Sequence, residues 1–85
     1  MGPSMIVIYL FGRMADTIGA RRLEADPATA GSLVDLRDRT FAAAVAAGRV
    51  APRDIRMSLN QVVVTDDRAL NDGDEVAFFS VFSGG

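Results

Sequence analysis

Residues 5–11 (MIVIYLF) are an unbroken apolar run rich in β-branched and aromatic side chains, which predicts a strand. Gly12 breaks it, a short helical turn fits residues 13–18, and Gly19 closes that turn. Residues 21–25 predict a second strand, paired with the first as a hairpin and ended by Asp26-Pro27. Thr29 then reads as a helix N-cap, and Ser32 with Asp35 three residues on reads as a second, capping-box start. Leu33, Leu36 and Phe41 mark an apolar helical stripe. The alanine-rich residues 41–47 continue that helix or begin a short second one, stopped at Gly48 and reinforced by Pro52. Residues 55–59 and 62–65 predict two strands around an Asn60-Gln61 turn, the second ended by Asp66-Asp67. Asn71-Asp72-Gly73-Asp74 is the strongest turn signal in the chain, and residues 75–82 predict a long last strand.

The order strand, strand, helix, three strands predicts an α+β, β-grasp (ubiquitin-like) domain, a mixed sheet packed on one main helix. Its first and last strands should lie side by side in parallel, because the helix supplies the crossover. The domain is expected to span residues 5–82, with residues 1–4 an expression remnant or disordered start and residues 83–85 a flexible tail. Alternation in the last strand puts Val76 and Phe78 on one face and Ala77 and Phe79 on the other. One pair must face the helix, so the other leaves an aromatic ring exposed near the tail.

Composition narrows the chemistry. With 85 residues, of which 49% are hydrophobic and 24% charged, the chain is one small globular domain. A net charge of -2 offers no basic field for phosphates, which argues against nucleic acid as a partner and for a basic protein surface. There is no Cys and no His, hence no thiol nucleophile, no thiolate metal site and no imidazole for acid–base work. There is no Lys either, all nine basic residues being Arg. Such a chain is poorly equipped for catalysis by its own side chains, and chemistry is expected at a backbone group or a terminus. Asp72, Asp74 and Glu75 match no calcium-loop spacing and read as a solvated turn, so no metal is expected. Arg21-Arg22 and Asp38-Arg39 read as ordinary exposed charges. The first apolar run is far shorter than the roughly 20 residues of a membrane helix and lacks the flanks of a signal peptide, so a cytoplasmic protein is expected, with no membrane partner.

The chain ends in Gly84-Gly85. Two terminal glycines arise by chance in roughly half a percent of sequences. A diglycine end has no β-carbons, so it can enter a channel too narrow for other residues, and its carboxylate carries no neighbouring bulk. This suits a protein that is itself the substrate of other proteins' catalysis.

Residues 70–79 (LNDGDEVAFF), followed by Ser80-Val81-Phe82-Ser83-Gly84-Gly85, resemble the C-terminal signature of the molybdopterin synthase small subunit, the MoaD branch of the MoaD/ThiS sulfur carriers. Asn60-Gln61 before a valine-rich strand, and the opening strand running into Phe11-Gly12-Arg13 and on to Gly19, are similar too. The chain departs from that family at Ser80-Val81, where prolines are frequent, which leaves the exit of the tail less stiff. The resemblance implies that Gly85 is the reactive residue. An adenylyltransferase of the ubiquitin-activating type would activate its carboxylate with ATP, and a sulfur donor would convert it to a thiocarboxylate. The synthase large subunit would then take in Ser83 and Gly84 and pass the sulfur to a cyclic pyranopterin in molybdenum cofactor biosynthesis. It also implies that Phe11, Val63, Phe79 and Phe82 bind partners, that no cofactor is bound, and that ATP is consumed only by the activating enzyme. Three alternatives compete: a sulfur carrier for thiazole (thiamine) synthesis, a ubiquitin-like protein modifier, and a plain β-grasp interaction module.

Overall fold

The computed structural model describes residues 5–80. It contains β1 (Ile6–Leu10), α1 (Arg13–Ile18), β2 (Arg22–Ala25), α2 (Pro27–Ala30), α3 (Leu33–Thr40), α4 (Ala42–Ala46), a 3-10 turn (Pro52–Asp54), β3 (Arg56–Leu59), β4 (Val62–Val64) and β5 (Glu75–Phe79). The sheet order is β2-β1-β5-β3-β4. β1 and β5 pair in parallel, with Ile8 opposite Val76 and Leu10 opposite Phe78, and the other pairings are antiparallel. This is the β-grasp arrangement that the order of elements predicts. The predicted last strand stops at Phe79, and its residues 81–82 lie outside the described residues.

One face of the sheet builds the core. Ile6, Ile8 and Leu10 of β1, Val76 and Phe78 of β5, and Met57 of β3 are buried against Leu33 and Leu36 of α3 and against Phe41. Phe41 separates α3 from α4, because its ring is wholly buried edge-on to Phe78 at 5.3 Å and its backbone turns there to reach that position. The alanine-rich segment therefore forms a second, short helix.

The start of α3 is tied to the sheet by hydrogen bonds. Ser32 Oγ accepts from the Asp35 N–H at 3.2 Å and the Asp35 carboxylate accepts from the Ser32 N–H at 3.1 Å, the reciprocal capping box read from the sequence. Two further orphan donors are met from the loop between β4 and β5. The Leu33 N–H donates to the Arg68 carbonyl at 2.9 Å and the Val34 N–H to the Asp67 carboxylate at 2.8 Å. Gly31 makes the box possible, since a Cβ there would stand 2.6 Å from an Asp35 carboxylate oxygen and its φ is +74°. Thr29 is not a cap. Asp26 caps α2 instead, accepting from the Ala28 N–H at 2.9 Å with Pro27 in the first helical position. Asp-Pro thus both ends β2 and starts a helix, because proline's missing N–H costs nothing in a first turn.

Asn60 and Gln61 form the tight turn between β3 and β4, both with positive φ, 51° and 70°. Asn60 also holds the start of β5: its Nδ2 donates to the Asp74 carboxylate at 3.0 Å, and its Oδ1 accepts from the Glu75 N–H at 2.9 Å. Asp74 accepts in turn from the Asn71 N–H at 2.7 Å. The acidic residues near 72–75 are turn-builders, and no cluster suited to a metal occurs among the described residues.

Two outcomes follow. Asp67 is held below its ordinary value of 3.8, chiefly by the Val34 N–H and then by Ser32, so its contribution is complete above 3.8 and is lost as pH falls through the lowered value. Asp67→Ala should therefore melt lower than wild type at pH 7, and the gap should close in acid below pH 3.8, followed by circular dichroism. Gln61→Gly should stabilise the fold by roughly 0.5–1 kcal/mol in urea denaturation, because glycine adopts a positive φ without a Cβ penalty.

Candidate functional site

The face of the sheet away from α3 is open. The alternation that buries Ile8 and Leu10 turns Tyr9 and Phe11 outward, and the one that buries Val76 and Phe78 turns Ala77 and Phe79 outward. The register sets these residues in rows. Tyr9 stands opposite Ala77, Ala77 opposite Ser58, and Ser58 opposite Val63. In the next row Arg56 stands opposite Phe79, and the Phe11 N–H reaches the Phe78 carbonyl at 3.1 Å. Phe11, Val63 and Phe79, singled out from sequence, therefore share this face. Phe11 is 55% exposed and Val63 63% exposed, while Phe79 is half-buried.

Tyr9 belongs to the same surface and was not foreseen. Its ring stacks on Phe11 with centroids 6.4 Å apart and planes 24° from parallel. The period of two in the first strand could have found it, since Tyr9 precedes Phe11 by two positions. Tyr9 also stands opposite Arg22, whose guanidinium pairs with Glu24 at 2.8 Å and is held above its ordinary value by that partner. A shallow depression lies beside this aromatic pair, floored by Ala77 and Ser58.

β1 and β5 run in parallel, so both deliver their C-terminal ends to one edge of this face. Phe11-Gly12 ends the first, and Phe79-Ser80 leads towards the terminal residues. Phe82, Ser83, Gly84 and Gly85 lie outside the described residues. Among the described residues no helix is long and apolar enough to cross a membrane.

A sequence profile of the ThiS family matches residues 8–85, nearly the whole chain. The chain belongs to the ThiS family. No curated protein sequence matches it. Solved structures give the same fold at low identity. SAMP1 from Haloferax volcanii superposes with a TM-score of 0.72 at 24% identity, over 95% of this chain and 99% of that one. Urm1 from Trypanosoma brucei gives 0.66 at 20% identity, over 100% and 99%. The small archaeal modifier protein 1 (SAMP1) from Methanosarcina acetivorans gives 0.66 at 13% identity, over the full length of both chains.

The two faces should separate in stability measurements. Phe78→Ala should cost about 3–5 kcal/mol in urea denaturation, as expected of a wholly buried ring. Phe11→Ser, on the open face, should change stability by no more than about 0.5 kcal/mol. Equal losses would contradict the placement of the open face.

Proposed function

We propose that this chain is a sulfur carrier whose reactive group is the carboxylate of Gly85. The match of the ThiS family through to Gly84-Gly85, directly after the strand that leaves the open face, is the observation that carries this reading. The Gly85 carboxylate attacks the α-phosphate of ATP in an adenylyltransferase of the ubiquitin-activating type, and pyrophosphate leaves. A sulfur donor supplies sulfide to the acyl-adenylate carbonyl, AMP leaves, and a thiocarboxylate remains. The open face, with Phe11, Val63 and Phe79, holds the partner while Ser83 and Gly84 thread its channel, with Phe82 at the channel mouth. The acceptor is a cyclic pyranopterin held by a molybdopterin synthase large subunit, the reading favoured by the Ala77-Phe78-Phe79 stretch before the diglycine. The chain itself binds no cofactor, and ATP is consumed by the activating enzyme.

The absence of Lys suits an activated carboxyl, because the chain offers no ε-amine of its own to capture it. A second reading has the same activation but joins Gly85 to amines of other proteins. It is favoured by the likeness to structures named as small archaeal modifier proteins. The family's name also keeps thiazole synthesis open as the acceptor pathway.

One reaction tests the reading. Incubated with ATP, the adenylyltransferase and a sulfur source, the chain ending at Gly85 should exchange one oxygen for one sulfur, localised by mass spectrometry to its last peptide. Higher-mass conjugates would select the modifier, and no change would defeat both. Removing Gly85 shortens the arm by about 3.5 Å. Since a 1 Å misplacement already costs about 10²-fold in rate, the shortened chain should melt like wild type and carry no sulfur.

A further inference from the structure

Where β5 ends, a groove runs between the 3-10 turn and the β3–β4 hairpin. Arg37 of α3, Arg53 of the turn and Arg56 of β3 line it, beside Phe79, Val63 and Pro52. Among the described residues no carboxylate lines it. Arg37 is held by Asp38 at 2.8 Å, but Arg53 and Arg56 are exposed and make neither an ion pair nor a side-chain hydrogen bond among the described residues. The acids that follow β4 are used elsewhere: Asp66 faces Arg68 at 3.9 Å, and Asp67 caps α3. A cationic groove is thus set into a chain whose net charge is -2. Two solvated, unpaired arginines add nothing to the fold, so stability does not account for them.

Their position does point to a use. Arg56 stands opposite Phe79, the last residue of β5, so the groove's arginines flank the end of the strand that leads to the C-terminal residues. The groove also shares Phe79 and Val63 with the open aromatic face, which makes the two one continuous surface. Guanidinium forks match carboxylates two bonds at a time, and apolar neighbours that exclude water strengthen such pairs. A polyanion such as RNA would meet the net negative charge of the rest of the molecule, whereas a local cluster of carboxylates on a folded partner would not. We propose that this groove docks an acidic patch on the protein that receives the C-terminal residues, with Arg53 and Arg56 each engaging a carboxylate. The identity of that protein as a tail-gripping activator rests on the sulfur-carrier reading, but the preference of the groove for carboxylates does not.

The experiment has two arms, both on the full chain. In the first, steady-state loading by the adenylyltransferase is compared at low and high salt for wild type, R53E/R56E and R53K/R56K. Charge reversal should raise KM for the chain on the order of 10- to 100-fold at low salt with kcat nearly unchanged, and should abolish the rise of KM with salt. The lysine variant should recover part of the affinity. All three should melt alike, since both arginines are exposed. In the second arm, amide shifts are followed by NMR on adding a short oligoglutamate peptide or a single-stranded RNA of equal charge. Saturable, salt-sensitive shifts at residues 53, 56 and 79 with the peptide, absent in R53E/R56E, support the proposal. A failure of wild-type loading with these shifts intact would sink the sulfur-carrier reading alone. An unchanged KM in R53E/R56E, shifts with RNA only, or no shifts with either probe would overturn the groove assignment.

Discussion

The parallel pairing of β1 with β5 is the constraint on which everything else in this molecule depends. Parallel neighbours cannot be joined by a tight turn, so the intervening chain must cross over one face of the sheet. Here that crossover contains α3, and its apolar side claims the face carrying Ile8, Leu10, Val76 and Phe78. Among the described residues no element covers the opposite face. The same pairing makes the two central strands finish together, so Phe11 at the end of β1 and Phe79 at the end of β5 meet at one edge. An open aromatic surface at the end of β5 is therefore a consequence of strand direction.

A crossover of this kind needs an anchor, because α3 has only eight residues and could not persist alone. The four N–H groups at its start that have no backbone partner within the helix, those of Ser32, Leu33, Val34 and Asp35, are answered by the Asp35 carboxylate, the Arg68 carbonyl, the Asp67 carboxylate and Ser32 Oγ. Two of those acceptors come from the loop that links β4 to β5, so the helix start and the sheet's second hairpin fix one another. A loop that looks like simple connection is part of the framework holding β5 in place. The Asn60 side chain does the same where that strand begins, joining the β3–β4 turn to Asp74 and Glu75.

These links explain what could be read from sequence and what could not. The strands, the Ser32–Asp35 box and the turn at residues 71–74 are local patterns, in which spacing along the chain carries the physics. The role of Asp67 spans 33 residues to Val34 and leaves no local trace. Asp26-Pro27 was legible as a strand end, but its second use as a helix start was hidden behind the more familiar cap at Thr29. Phe11, Val63 and Phe79 were found by alternation, and Tyr9 was missed although the same alternation holds it. The arginine groove was invisible, because Arg37, Arg53 and Arg56 converge only once α3, the 3-10 turn and β3 are folded together.

The fold constrains some positions closely and leaves others free. Packing fixes the residues that face α3, and the turns fix a few more, such as Gly31 and Asn60. Nothing in the fold fixes the identity of Tyr9, Phe11, Val63, Arg53 or Arg56, all of which stand partly or fully in solvent. Those positions are free to answer to a partner. In a chain with no Cys, His or Lys, recognition is the work left for side chains to do. The open face and its basic margin are where such recognition has room to be specific. Those surface residues can change with little effect on stability, because none of them is packed into the core.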